Sequence, residues 1–511
     1  MTQLSKALLT LSNKAHTLMP LPQQFDTLPE KVMQFGTGVL LRGLPDYFIN
    51  LANQHNVFNG RVVVVKSTRG SGPDAFAKQD NLYYHWIRGI TKGQLVEELH
   101  LNGSISRVLN ANTNWQQVLD AAVQPTMQLV ISNTTEVGIV LTDDDIRHSP
   151  PVSFPGKLLA CLYHRYEHMG HGSAPGLVIV PTELVPENGK LLKSICVDLA
   201  KYNNLDEAFV KWMVTANAFC DSLVDRIVPG QPKYEEAAAL EQLIGCTDEL
   251  SIVSEPYALW AIESDKDWVR QALSFEKVHS GVIIAQDIAK YRTLKLRLLN
   301  GTHTLVCGLA IGAGFSTVKQ AMAHAPFKDY VRSLMLDEIV PVLVDDEITG
   351  EEATDFASQV IDRFCNPFIE HQWMSITMNY SSKMKMRCMP LIAAYFARHG
   401  QVPAKMALGL AAMLRFLKVA KTAGEKCYGT WHGQEYLLQD DNAHLFAQNA
   451  QHKDPCTAVG EILADTNLWG LNAAKFAGLP EAVANYLRYL ENASKAEVAQ
   501  LFLPHPQFQN A

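Results

Sequence analysis

The stretch KLRLLNGTH, Lys295 to His303, sets an ammonium, a carboxamide and an imidazole within nine residues, among leucines and with no carboxylate between them. Such groups move a proton or donate a hydrogen bond to an oxygen that is gaining charge. On an ideal α-helix Asn300 falls about 140° and His303 about 80° around from Lys295, with His303 about 12 Å further along the axis. The three then share one broad arc and can face one cleft. The same pattern also describes the basic side of an amphipathic helix whose long side chains reach into water. Lys290, Arg292 and Arg297 beside it fit that plainer description.

The elements that must carry these groups change character along the chain. In the first half, Val32–Phe35, Arg61–Lys66, Leu129–Ser132 and Leu177–Val180 are short β-branched or apolar runs, with amphipathic segments at Trp115–Ala122 and Gly156–His168 between them. Val282–Ala285 reads as the last strand. This alternation predicts a parallel sheet with helices on its faces. From Asp287 onward a helical period dominates, over Leu294–Ile311, Lys328–Leu343, Glu352–Arg363, Ala404–Ala420, Ala458–Ala464 and Glu481–Leu490. The expectation is an α/β protein: a Rossmann-like parallel-sheet domain over residues 1–286, then a mostly α-helical domain over residues 287–511, with no flexible linker.

Composition narrows the function classes. The chain has 511 residues, 47% hydrophobic and 19% charged, with net charge −8 and no long basic run, so nucleic acid is not the expected partner. Nine cysteines are scattered singly, with no CxxC, and read as reduced thiols of a cytoplasmic protein. The N-terminal twenty residues have too short an apolar core for a signal peptide, and no run is long enough to span a membrane.

The motif QFGTGVLLR, Gln34 to Arg42, places two glycines between a strand and a helix. Glycines there let backbone approach a pyrophosphate, and the helix start offers free N–H groups. Phe35, Gly36, Thr37 and Gly38 are the candidate cofactor contacts, although Leu41 stands where GxGxxG has its third glycine. The second strand ends in Lys66, with Arg69 beyond and no carboxylate, so a 2′-phosphate is not excluded. VISNTTEVG ends a third strand in a polar cluster, where Asn133, Thr134 and Thr135 are candidates for the nicotinamide side. His164, His168 and Glu167 share a helix face, but the pattern is not HExxH, and we expect no metal site.

Together these stretches resemble the polyol-specific long-chain dehydrogenases, the mannitol dehydrogenase family. KLRLLNGTH is similar to the family's lysine, asparagine and histidine signature, and FGTGVLLR to its cofactor turn with a later arginine, here Arg42. SLVDRI resembles a further family stretch and brings in Asp225. PTELVPENG, RFCNPFIEHQWMSITMNYSSKMKMRCMP and QEYLLQDD resemble a branch acting on keto-hexuronates rather than plain polyols. In the first of these Leu184 stands where other branches have an asparagine that helps hold the substrate oxygen.

The resemblance implies NAD-dependent, reversible reduction of D-tagaturonate to D-altronate, with a sugar acid as the small-molecule partner. Lys295 would be the general acid and base, Asn300 the donor to the oxyanion, and His303 would hydrogen-bond a neighbouring hydroxyl or orient the substrate. A lysine near pKa 10.4 must be lowered by burial or positive neighbours to serve near neutrality, which suits the absence of an adjacent carboxylate. Glu183, His371, Asn379, Lys383 and Arg387 are the substrate-binding candidates; Lys383 and Arg387 are four apart and share a helix face. Fructuronate or a polyol is the alternative substrate, and a non-catalytic dinucleotide-binding regulator is the alternative class. The cofactor preference between NAD and NADP and the choice between monomer and dimer stay open.

Overall fold

The β-branched runs pair edge to edge. β1 (Glu30–Phe35), β2 (Arg61–Lys66), β3 (Ile105–Asn110), β4 (Leu129–Ser132), β5 (Val178–Pro181) and β6 (Ala218–Phe219) form a six-stranded sheet in the order β3-β2-β1-β4-β5-β6. Every pairing is parallel. Successive residues of β1 and β2 point to opposite faces, as a period of two requires. Val32, Val62 and Val64 enter one apolar core with Phe48 and Trp260, while Met33, Val63 and Val65 enter another with Leu158 and Trp212. Both faces are covered, which explains why these strands read as continuous apolar runs.

In this computed structural model, residues 2–11, 21, 25–67, 74–134, 138–449 and 454–503 are described. The chain divides into two units, residues 1–89 with 95–288, and residues 90–94 with 289–511. The α/β expectation is borne out. One strand is corrected: Val282–Ala285 does not join the six-stranded sheet. It pairs parallel with Leu259–Glu263, which pairs antiparallel with Ser222–Asp225, making a separate three-stranded sheet. Tyr83–Thr91, Gln94–Asn102 and Ile252–Ser254 form another; their mixed polar sequences lack the uninterrupted apolar runs that mark buried parallel strands.

The second unit is helical, with three departures, one of them a π-helix at Leu334–Ile339 inside the expected helix Lys328–Leu343. The expected helix Leu294–Ile311 is α-helical over Ala289–Leu294 and Thr302–Gly312 but a π-helix over Lys295–Gly301. The helix Ala404–Leu417 stops short of Ala420, and an antiparallel sheet follows: Val419–Ala423, Lys426–Trp431 and Gln434–Leu437. Its second turn uses His432 (φ 49°) and Gly433 (φ 76°), the left-handed pair that matches strand twist in a two-residue hairpin. Among the described residues no helix is long and apolar enough to cross a membrane.

Packing of the first unit holds histidines neutral. His279 lies against Phe48 (ring centroids 5.0 Å) and Tyr47 (6.0 Å), and its Nδ1 accepts the Gly281 N–H at 2.9 Å. Burial, then the charge of Arg226, lowers its pKa from 6.5 to about 4. The unfolded chain takes up this proton and the folded chain does not, so the contribution is complete above pH 6.5 and declines on acidification toward 4. Relative to a His279→Gln variant, the stability margin of the wild type is expected to be constant above pH 6.5. Below that it should shrink by about 1.4 kcal/mol per pH unit. Paired urea titrations at three pH values read the margin, and a margin that ignores pH contradicts the assignment.

Candidate active site

The sheet order reverses between β1 and β4, the switch point at whose carboxyl edge ligands bind in open α/β sheets. Two sequence candidates meet there. Asn133 N–H donates to the Phe35 carbonyl at 3.1 Å, closing the end of β4 onto the end of β1. Gly36 has φ of 125°, and a β-carbon on it would stand 2.9 Å from Leu41 Cδ1 and 3.0 Å from the Asn133 carbonyl oxygen. Only glycine serves at that position. Gly38 is the opposite case: it is exposed, and a β-carbon added there would meet nothing within 4 Å. A turn tight on its inner side and open on its outer side fits a dinucleotide backbone. Thr37 lies half-buried between the two glycines.

The other first-unit candidates separate. Phe35 is 1% exposed and packs on Phe154 at 5.1 Å, so only its backbone reaches the turn. Arg42 is corrected: its guanidinium is buried, donates to the Leu250 carbonyl and lies 5.4 Å over the Tyr83 ring, so it braces the domain rather than reaching a ligand. Glu183 is corrected as well. It is 2% exposed; one carboxylate oxygen accepts the Thr134 N–H (2.8 Å) and hydroxyl (2.9 Å), the other the Ser132 hydroxyl (3.0 Å). Burial raises its pKa against those bonds. It ties the β4 end to the segment after β5, with both carboxylate oxygens engaged there. Asn133 Nδ2 is engaged by Thr182, to the carbonyl at 3.2 Å and the hydroxyl at 3.0 Å. Lys66 is half-buried at the end of β2, and Asp225 is buried at the end of Ser222–Asp225, in the separate sheet. Arg69 and Thr135 lie outside the described residues.

The second unit gathers the remaining candidates. In a π-helix each N–H bonds five residues back rather than four. Lys295 and Asn300 are five apart, the span of one such bond, which brings them nearer one side than ideal α geometry gave. The Asn300 carboxamide makes no hydrogen bond among the described residues; the Asn300 backbone carbonyl accepts the Thr304 hydroxyl at 2.8 Å. His303 stacks on Phe364 (3.9 Å, 8°) and meets His371 (5.3 Å, 88°) and Trp373 (5.9 Å, 89°) edge to face. Its Nε2 is buried without a partner. Burial, then the charges of His371, Arg363, Arg387 and Lys383, holds its pKa well below 6.5. His303 is therefore a neutral imidazole in a cationic setting.

Lys383 and Arg387 are both on the helix Tyr380–Arg387. Lys383 Nζ donates to the Ile376 carbonyl at 3.0 Å; burial and then Arg387 lower its pKa. Arg387 Nη1 donates to the Thr304 hydroxyl at 3.3 Å, while its Nε is buried without a partner. Burial lowers its pKa too. His371 is half-buried, its pKa lowered by burial and then by Lys383. Asn379 departs from the expectation of a substrate ligand. It is exposed, left-handed (φ 48°), and its side-chain oxygen accepts the Asp441 N–H at 3.2 Å. Arg297 donates to the carbonyls of Met386 (2.6 Å) and Arg387 (2.9 Å), joining the π segment to this helix. Sequence reading did not single out Thr304, Arg363 and Phe364: the fold brings Phe364 and Arg363 to His303, and Thr304 to Arg387. Among the described residues no group of three His, Cys, Asp or Glu is placed to hold a metal ion.

A switch-point glycine turn on a sheet of this order defines a dinucleotide-binding protein, here joined to a helical domain with a lysine-bearing π turn. Family models match residues 30–276 as a mannitol dehydrogenase Rossmann domain and residues 287–491 as a mannitol dehydrogenase C-terminal domain. The altronate oxidoreductase of Halalkalibacterium halodurans is 38% identical over 473 residues, 91% of this chain and 91% of that protein. That of Bacillus subtilis is 35% identical over 467 residues, 90% and 93% of the two chains. Two solved structures share the fold. Pseudomonas fluorescens mannitol 2-dehydrogenase, in ternary complex with NAD and D-mannitol, has a TM-score of 0.68 at 23% identity, covering 99% of this chain and 100% of that one. A substrate-free D-sorbitol dehydrogenase has 0.76 at 19%, covering 98% and 100%. The chain belongs to the mannitol dehydrogenase family. It is an oxidoreductase acting on CH–OH groups, with a Rossmann domain of the kind that serves a nicotinamide dinucleotide, and the resemblance read from its motifs is borne out.

The two glycines give a paired prediction. Gly36→Ala is expected to lower stability by about 1–3 kcal/mol, the scale of a non-glycine residue forced into such backbone. Gly38→Ala is expected to leave the thermal midpoint unchanged but weaken dinucleotide binding by roughly tenfold, because its methyl occupies the space of close backbone approach. Fluorescence titration with NADH beside a thermal melt reads both. An unchanged affinity in Gly38→Ala would remove this turn from the cofactor site.

Proposed function

We propose that this protein reduces the keto group of D-tagaturonate to give D-altronate, reversibly, with NADH and without a metal. The observation that carries the substrate reading is the company around His303. Lys383 and Arg387 act on one neutral imidazole in a partly buried setting, an arrangement that wants an anion. The substrate's carboxylate supplies it, and arginine binds carboxylates with two parallel donors. The relatives named altronate oxidoreductase support the same substrate.

When bound, the dinucleotide supplies hydride to the carbonyl carbon or accepts it from the alcohol. Every other step falls to side chains. As the carbonyl oxygen gains charge, the Asn300 carboxamide donates to it; that amide is uncommitted among the described residues. Lys295 delivers the proton that turns alkoxide into hydroxyl, and takes it back in the oxidation direction. Neutral His303 offers one ring nitrogen to a substrate hydroxyl. Gly36, Thr37 and Gly38 hold the dinucleotide backbone, with Asn133 and Thr134 at the neighbouring strand end. Lys66 leaves NADPH as the control cofactor.

The test is NADH oxidation with tagaturonate, fructuronate and fructose in parallel, and NADPH beside NADH. Turnover with tagaturonate well above the others is expected; preference for fructose would overturn the carboxylate reading. Lys295→Ala is expected to lower kcat by about 10²–10⁴ while dinucleotide binding is kept. A protein that binds NADH yet turns over none of the three substrates would instead favour a dinucleotide-binding regulator.

A further inference from the structure

The helix Tyr380–Arg387 carries both cations assigned to the carboxylate, yet its own sequence does not cap it. Asn379 stands at the N-cap in left-handed backbone (φ 48°, ψ 50°), and its side chain makes no bond to the first turn. The first N–H groups of a helix need acceptors, and a buried end without them is costly. Here the acceptor comes from 59 residues away. Asp440 accepts the Ser381 N–H at 2.8 Å with one oxygen and the Ser381 hydroxyl at 2.6 Å with the other. Ser381 is fully buried.

The bonds around this contact form a closed set. Asn379 N–H donates to the Gln439 carbonyl at 2.7 Å, and Asp441 N–H donates back to Asn379 Oδ1 at 3.2 Å. Asn442 Nδ2 donates to the Ser381 hydroxyl at 2.9 Å, and its N–H to Asp440 at 3.0 Å. The segment Gln439–Asn442 follows the last strand of the small sheet, Gln434–Leu437, after the single residue Leu438. That sheet therefore delivers the cap. At the other end Arg297 binds the carbonyls of Met386 and Arg387. A carboxylate at the N-terminus and a guanidinium at the C-terminus both complement the helix dipole. Arg387 sits in the turn that Arg297 holds; Lys383 sits in the turn that Asp440 holds.

From this we infer that Asp440 is a positioning residue for substrate binding: through Ser381 it fixes the first turn of the helix Tyr380–Arg387 and so the direction of Lys383. The inference rests on the carboxylate role given to Lys383 above. Without the clasp the first turn frays, Lys383 loses its aim, and Arg387, braced by Arg297 and Thr304, keeps most of its own.

The test is a double-mutant cycle on Asp440 and Lys383 with the full chain. Asp440→Ala is expected to raise KM for the keto acid by roughly tenfold, the scale of a lost helix cap, with kcat and KM for NADH nearly unchanged. Asp440→Asn, which keeps an acceptor, should recover part of it. In a Lys383→Ala background Asp440→Ala should add little, because both act through one side chain. Independent factors that multiply, or a fall in kcat shared by all substrates, would overturn the inference. Amide exchange supplies a reading free of substrate identity. Asp440→Ala should lose protection over residues 380–384 and keep it over residues 404–417. Should wild type turn over no keto acid while this local loss is seen, the clasp stands and the carboxylate reading falls. Undisturbed exchange over 380–384 sinks the clasp itself.

Discussion

The second unit depends on one irregularity, the π-helical turn from Lys295 to Gly301. A wider turn packs less well than an α-helix, is rare, and recurs at functional sites. It holds its shape only if its surroundings over-determine it. They do so here from several sides. Arg297 reaches from inside the turn to two carbonyls of the helix Tyr380–Arg387. Cys388 Sγ donates to the Gly301 carbonyl at 3.5 Å, and the Thr304 hydroxyl is shared between the Asn300 carbonyl and Arg387. Tyr380 closes the set, its hydroxyl donating to the Thr304 carbonyl at 2.8 Å and accepting the Gly308 N–H at 2.9 Å. The groups assigned to the oxyanion and to the carboxylate are thus two faces of one braced pair of helices.

The electrostatics follow from that packing. Burial takes the water from Lys383 and Arg387 and disfavours their charged forms. A poorly compensated cation in such a place is costly, and under the proposed function the substrate's carboxylate relieves the cost. A protonated His303 would add to the repulsion, so the imidazole stays neutral and keeps one nitrogen able to accept. The domain uses remote carboxylates elsewhere for the same purpose of ending a helix. Glu338, in the second π turn, accepts the N–H groups of Lys405 (2.8 Å) and Met406 (2.9 Å) at the start of Ala404–Leu417. Burial raises its pKa against those bonds.

Much of this is legible in sequence because buried parallel strands and amphipathic helices leave strong periodic marks. The runs at Arg61–Lys66, Leu129–Ser132 and Trp115–Ala122 coincide with the observed elements. Gly36 is legible because strand, glycine turn and helix occur together. The π turn is not, since its composition is that of any leucine-rich helix and the extra residue per turn is imposed by packing. The fates of Glu183 and Arg42 are hidden for a related reason. A charged residue beside a binding motif looks the same whether it faces a ligand or an orphaned backbone group, and only the partners decide. The sheet at 419–437 is masked by an alanine-rich helix that stops at Leu417.

The position of Leu184 sharpens the question of the oxyanion donor. Leu184 is 60% exposed and offers no polar group. Its neighbour Asn188 cannot substitute, because its Nδ2 donates to the carbonyls of Pro181 (3.0 Å), Glu183 (3.0 Å) and Ser222 (3.1 Å), and its Oδ1 accepts from the backbone of Gly189 and Ser222. Asn133 is committed to Thr182, and Asn379 holds the Asp441 backbone. Among the described residues the Asn300 carboxamide keeps both N–H groups uncommitted, as does that of the exposed Asn379, whose oxygen is held by the Asp441 backbone. A preorganised donor must be free in the ground state and fixed in direction. Asn300 meets the first condition through its empty amide, and the Thr304 hydroxyl bond to its backbone carbonyl holds the turn that carries it. Under the proposed function, oxyanion stabilisation falls to Asn300 on the π turn, the element whose bracing the helix Tyr380–Arg387 supplies.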